Sequence, residues 1–213
     1  MAKKTKDPGQ ERFLLARYSA ANGTPREEAL EEMQKFVERC MKPQARIQTV
    51  LDEMVRTVLR ISEFTEIAIA TRGADGNYRY MVMGGFRAEA EKARRAIVYT
   101  AADLKDSSAF PALRIGRVSQ YHISERNPFR PGEEATFNKP HLLGIPRKNP
   151  DDMIEGDYID MYMSGPDKEY VAWMELSGTR SRKLPSRETI ILTEMLTSCL
   201  LTILLNLPDG AGA

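Results

Sequence analysis

Asp157-Tyr158-Ile159-Asp160-Met161-Tyr162-Met163, Ser164-Gly165-Pro166-Asp167 and Tyr170-Val171-Ala172-Trp173-Met174-Glu175-Leu176 read in order as strand, turn and strand. Polar and apolar residues alternate in the first run, the middle four carry turn chemistry, and the last run is rich in β-formers. Ser177-Gly178-Thr179-Arg180-Ser181-Arg182-Lys183 reads as a polar loop. Pro185-Ser186-Arg187-Glu188 then opens a helix that reaches Asn206-Leu207, before Pro208 and Gly210 stop it. Because strand side chains alternate, Ile159, Met161 and Met163 share one face, with Tyr158, Asp160 and Tyr162 on the other. In the partner strand Tyr170, Ala172, Met174 and Leu176 oppose Val171, Trp173 and Glu175. One face is aliphatic and suits packing on helices; the other mixes aromatic and polar groups, as pocket walls do.

Upstream, residues 66–72 read as a strand, Gly73-Ala74-Asp75-Gly76-Asn77 as a turn and residues 78–83 as its hairpin partner, stopped by Gly84-Gly85. Residues 86–100 are charged and helical, with Glu89, Glu91, Lys92, Arg94 and Arg95 on a solvated face. Residues 102–108 suggest a further short helix, and residues 117–123 a short strand. Residues 124–155 form a long loop rich in Pro, Gly, Asn and charge, a length that usually serves a function or marks partial disorder. Toward the N-terminus, residues 11–21 suggest a short helix broken by Asn22-Gly23. Thr24-Pro25-Arg26-Glu27-Glu28 starts another, with Thr24 as cap, and its apolar positions run from Leu30 to Cys40 until Pro43. A broad stripe from Ile47 to Ile61 marks the helix that follows.

The 213 residues are enough to bury a sizeable core. With 31 basic and 30 acidic residues the net charge is +1, so nothing global draws the chain to nucleic acid or to an anionic membrane. The two cysteines, Cys40 and Cys199, lie far apart in helical patterns, which fits a reducing, cytoplasmic setting better than a disulfide framework. The basic start lacks the apolar run of a signal peptide, and the most apolar run, residues 199–207, is too short to span a bilayer. A soluble protein is expected.

The order of elements from Ala45 to Leu207 resembles a GAF domain, the small-molecule sensing fold related to PAS. The resemblance is carried by residues 158–163, the turn Pro166-Asp167-Lys168-Glu169, residues 171–176, Pro185-Ser186-Arg187-Glu188 and the closing helix. It implies an α+β fold: a central antiparallel sheet of five or six strands, with the N- and C-terminal helices on one face. Loops and short helices of residues 86–155 would cover a pocket on the other face. It also implies flanking helices that pair between protomers. The organisation expected is a flexible tail at 1–24, an N-terminal dimer or signalling helix at 25–43, a GAF-like domain at 44–207 and a disordered tail at 208–213.

No Ser-His-Asp set, phosphate-cradling glycine loop or metal-ligand cluster appears in the sequence, so no enzyme activity is expected. The candidate ligand-binding residues are Tyr80, Tyr99, Tyr121, His122, Phe137, His141, Asp160 and Trp173. The aromatic members suit a planar ligand, although each taken singly fits a core position equally well. His122 and His141 flank the long loop and would meet at the pocket mouth; the plainer reading makes them surface or hydrogen-bonded structural histidines. Arg87, Arg114 and Arg117 are candidates for an anionic ligand or, more plainly, solvated cations. Some GAF domains use cysteine trios to reduce methionine sulfoxide, or one cysteine to attach a bilin. Cys40 and Cys199 match neither arrangement, the asparagine-lysine-phenylalanine signature of cyclic-nucleotide binders is missing, and no cofactor can be named.

The closing helix is apolar over more than half its circumference, whereas packing on one sheet needs only a stripe. The excess is covered either by the chain's own upstream helices or by a second protomer. The second reading makes the protein a homodimer with Met195, Cys199, Leu200 and Ile203 at the interface, so that Leu200→Glu would dissociate it. The function expected is a non-catalytic sensory or regulatory domain in signal transduction, binding a small molecule or a protein partner and working through helix-mediated dimerisation, either through a partner signalling protein or as a fragment of a longer one. The alternatives are a protein-interaction scaffold with a collapsed pocket, and a small enzyme using His122 or His141 beside Asp160 or Glu175.

Overall fold

The computed structural model describes residues 24–42, 45–126 and 129–207. The short helix read at residues 11–21 and the two tails, apart from Thr24, lie outside the described residues. Six antiparallel strands form one sheet: β1 (Phe64–Arg72), β2 (Tyr78–Gly84), β3 (Ala112–Arg114), β4 (Ser119–His122), β5 (Tyr158–Ser164) and β6 (Tyr170–Thr179). Their spatial order is β2-β1-β6-β5-β4-β3. Helices α1 (Pro25–Cys40), α2 (Ile47–Ile61) and α4 (Arg187–Asn206) lie on one face, and the short α3 (Ala88–Arg95) and the loops cover the other. The architecture is the α+β arrangement read from the sequence.

Register explains the two faces. Met161 pairs with Met174 and Ile159 with Leu176, and this aliphatic set joins Ile67 and Ile69 beneath the helices. Each of these buried side chains contributes about 1.5–3 kcal/mol relative to exposure. On the opposite face Ala68 and Ala70 are fully buried beneath aromatic rings; Ala70 pairs with both Tyr80 and Trp173. Two methyl groups at the sheet's centre leave the depth that those rings fill.

Several boundaries differ from the sequence reading for identifiable reasons. β6 runs on through Ser177, Gly178 and Thr179, expected as loop, because they pair with the start of β1 (Glu66 with Ser177, Phe64 with Thr179). Tyr170 joins the aromatic face instead of the aliphatic one, since a register shift at Met163/Ser164 turns the strand start over. The helix in residues 86–100 is confined to Ala88–Arg95, and Tyr99 pairs backbone to backbone with Tyr78. Residues 102–108 hold only the 3-10 turn Asp103–Lys105. The edge strand β3 had no signal: it is three residues long and two of them are exposed.

The helices start where the sequence caps them. Thr24 Oγ1 accepts from the Glu27 amide while the Glu27 carboxylate accepts from the Thr24 amide, a reciprocal capping box with Pro25 in the first turn. Ser186 Oγ accepts from the Thr189 amide at 3.0 Å and starts α4. The 20-residue α4 is long and apolar enough to cross a membrane by length and composition. In this fold it is a core helix, with Leu196, Leu200 and Leu204 fully buried against the sheet and the other helices. Glu194, also buried on α4, accepts from the Val118 and Ser119 amides at 2.9 and 3.2 Å and from Ser119 Oγ at 2.7 Å, which ties the β3–β4 corner to the helix.

Candidate functional site

The face opposite the helices is where the fold places a pocket. Its floor is built from Tyr78 and Tyr80 on β2, Trp173 and Glu175 on β6, and Tyr158 and Asp160 on β5. Its cover is α3, Tyr99, Phe110 and residues 129–137. The rings pack edge to face: Trp173 lies 5.6 Å from both Tyr80 and Tyr99, and Tyr99 lies 6.3 Å from Phe110.

Arg94 occupies the centre of this space. It descends from α3 and is buried, with Nη1 2.7 Å from Glu175 Oε1. Its Nε donates to the Thr136 carbonyl at 2.9 Å, and the guanidinium lies 4.3 Å from the centre of the Phe86 ring. The Tyr80 hydroxyl donates to the other Glu175 oxygen at 2.6 Å. Both carboxylate oxygens are thereby held. Burial, with Glu175 and Tyr99 beside it, pushes the Tyr80 hydroxyl well above the usual phenol value, so it stays a donor. Burial likewise raises the Glu133 carboxyl at the rim.

The cavity left among Tyr80, Arg94, Tyr99, Phe137, Tyr158 and Glu175 measures about 30 Å³. A water molecule needs roughly 10–15 Å³ of such space, and a drug-sized ligand occupies roughly 300–1,000 Å³. The side chains themselves fill the pocket.

The expected site residues separate into three groups. Tyr80, Tyr99, Phe137 and Trp173 do come together in or against this filled pocket, while His122 and Asp160 pair beside it. His122 Nε2 lies 3.2 Å from Asp160 Oδ2, which accepts from the Tyr162 hydroxyl at 3.0 Å, and the imidazole stacks on Tyr158 at 4.3 Å. Among the described residues, Nδ1 of His122 and Oδ1 of Asp160 have no hydrogen-bond partner, and His122 is only 1% exposed. Tyr121 points to the helix face with Ile159, because adjacent strand residues alternate. His141 is exposed in the 3-10 turn Pro140–Leu142, whereas His122 is buried.

Of the expected interface residues, Leu200 (0% exposed) and Ile203 belong to the hydrophobic core, Cys199 is half-buried and Met195 is 47% exposed. The Arg94–Glu175 pair is what the sequence reading missed, since Arg94 was assigned to a solvated face. The signal was the four-residue step from Ala90 to Arg94, which puts the arginine on the buried side of α3. Arg114 donates to the Gly116 and Arg117 carbonyls at the β3–β4 corner, so Arg87 has neither expected companion.

No family model and no curated relative matches the sequence. Solved structures do match. The GAF domain of a GAF domain/HD domain protein from Geobacter sulfurreducens superposes with a TM-score of 0.52 at 10% identity, covering 78% of this chain and 94% of that one. This is a GAF fold. The GAF domain of an Acinetobacter phosphoenolpyruvate-protein phosphotransferase gives 0.52 at 11% identity, covering 82% of this chain and 90% of that chain. The chromophore-binding domain of a bacteriophytochrome from R. palustris gives 0.53 at 12% identity, with 88% of this chain and 63% of that chain covered.

Proposed function

We propose that this GAF-fold chain is a non-catalytic regulatory module that acts through contact between helices and with partner protein, and that its sheet-side pocket is closed by its own side chains. The observation that supports this reading is the buried Arg94–Glu175 pair in a space that otherwise measures about 30 Å³. A chromophore, such as the bacteriophytochrome domain binds, would have to displace Arg94. Cysteine attachment is unsupported as well. Burial raises the Cys40 thiol to about 11 and lifts that of Cys199, so both stay protonated near neutral pH and react slowly. Protonated, unpaired thiols suit the cytoplasm, where we place the protein.

The helical layer is the other half of the reading. Ile191, Met195, Ser198, Thr202 and Leu205 are exposed at alternating steps of four and three, the spacing of a helix-pairing seam. The Ser198 and Thr202 hydroxyls donate back to the Glu194 and Ser198 carbonyls at 2.9 and 3.0 Å, which leaves the seam without unmet donors. Arg26 and Glu188, 3.3 Å apart, set the starts of α1 and α4 side by side. We infer a homodimer with the α4 seam at its centre.

Trp173, the single tryptophan, reports on the closed pocket because its neighbours Tyr80 and Tyr99 line it. Titration with planar ligands such as cyclic nucleotides and biliverdin should leave its emission unchanged, and sedimentation should give a dimer. A saturable emission change that Arg94→Ala strengthens would overturn the closed pocket; a monomer would remove helix pairing.

A further inference from the structure

A large unexplained space lies at the end of the sheet, where the starts of β1 and of α3 and the end of β6 meet residues 137–157. It measures about 620 Å³, within the range of small-molecule sites. We propose that this cleft binds a small organic anion with an apolar body, of the aryl or alkyl carboxylate class.

The charge pattern argues for the anion. Three carboxylates line the cleft and the protein already engages each of them. Glu66 accepts from Asn138 Nδ2 at 2.6 Å and from Ser177 Oγ at 2.7 Å, one bond per oxygen. Asp157 accepts from the Ser124 and Ile154 amides, both at 2.9 Å, and from Arg147 at 2.9 Å. Glu155 accepts from the Lys139 amide at 2.6 Å. The cations are in the opposite condition. Arg87, Lys139 and Arg182 line the same cleft and are exposed; none is in a salt bridge among the described residues, and the side chains of Lys139 and Arg87 act on Glu155 only through their charge. An entering carboxylate meets guanidinium forks with free donors, the geometry that gives bidentate, charge-assisted bonds.

The backbone is built to hold that arrangement. Arg182 has φ +58°, a left-handed conformation that a non-glycine residue seldom adopts. It is fixed by two backbone bonds of 3.0 Å, from its own amide to the Thr179 carbonyl and from the Met153 amide to its carbonyl. Strain that neighbouring bonds over-determine is characteristic of ligand clamps. Gly178, at φ +56°, lets β6 pass so close to Thr65 that a Cβ would strike the threonine hydroxyl. Asn138 seals the floor: it is buried, and its carbonyl oxygen accepts from the Arg87 amide at 2.8 Å, which fixes the backbone of that arginine.

Apolar surface supplies the other half of the site. Phe137, Leu142, Ile145 and Met153 line the wall, and Ile145 is half exposed. A simple inorganic anion would leave that wall wet; a ring or short chain would cover it.

The test is calorimetric titration of the full chain with 2-naphthoate and decanoate, each against its neutral alcohol. The carboxylates should bind saturably, with the alcohols weaker by about tenfold or more, equivalent to roughly 1.4 kcal/mol. Arg87→Gln and Arg182→Gln should each weaken carboxylate binding several-fold without lowering the melting temperature, whereas Arg117→Gln at the far corner should change nothing. Trp173 emission should stay constant, which separates this site from the closed pocket. Equal affinity for acid and alcohol, binding unaffected by both arginine variants, or no binding at millimolar carboxylate would each overturn the proposal.

Discussion

Arg94 of α3 and Glu175 of β6 are joined by a 2.7 Å ion pair whose side chains are 3% and 7% exposed. Removing one partner of a buried pair strands the other's charge and costs about 3–5 kcal/mol. Arg94→Met should therefore destabilise the protein by about that amount, measured by urea unfolding. The Arg94→Met, Glu175→Leu double variant should lose clearly less than the sum of the singles. Additive losses would mean that the two groups do not act as a pair.

The aromatic face makes the fold sensitive to alkali. Burial raises the hydroxyls of Tyr80, Tyr99, Tyr158 and Tyr162 above the ordinary value of about 10. Above that pH the unfolded chain sheds these protons while the folded chain keeps them. Stability is then fully present below about pH 10 and falls as pH rises further, by up to about 1.4 kcal/mol per pH unit for each tyrosine. Tyrosinate absorbance and circular dichroism should change together in one cooperative step. Gradual ionisation with the dichroism intact would contradict the expectation.

Legibility followed how local the governing interaction is. Both hairpins, the long helices and the two sheet faces could be read because alternation and helical spacing are properties of short windows, as in residues 158–163. β3 could not, since three residues at an edge, two of them exposed, owe their strand state to pairing with β4. The closed pocket was half legible. Tyr80, Tyr99, Phe137 and Trp173 were found by ring content, but Arg94 only becomes a pocket residue when Glu175 reaches it across 81 positions of sequence. Leu200 was assigned outward because a helix apolar on most sides does not reveal which side the sheet takes.

Glu194 offers a test of how the β3–β4 corner is held. Glu194→Leu deprives the Val118 and Ser119 amides of their acceptor, and stranded buried donors cost about 1–3 kcal/mol each. Hydrogen exchange should accelerate at those two amides well before global unfolding. Unchanged protection there would show that the corner is held by other contacts.

Leu200 and Met195 lie on one helix, five residues apart, and should answer to different variables. Leu200 is fully buried, so Leu200→Glu puts a carboxylate into the aliphatic core, and even truncation to alanine at such a site costs about 2–5 kcal/mol. That variant should fail to fold, and a lost dimer would carry no information about the interface. Met195→Glu instead adds a charge to the exposed seam, where surface changes usually stay within about 0.5 kcal/mol of neutral. Its thermal melt at low concentration should match that of the parent while sedimentation shifts from dimer to monomer. A dimer that survives Met195→Glu, and survives Ile191→Glu as well, would move the interface off α4 and leave the exposed face of α1, where Leu30 is 43% exposed, as the surface to test next.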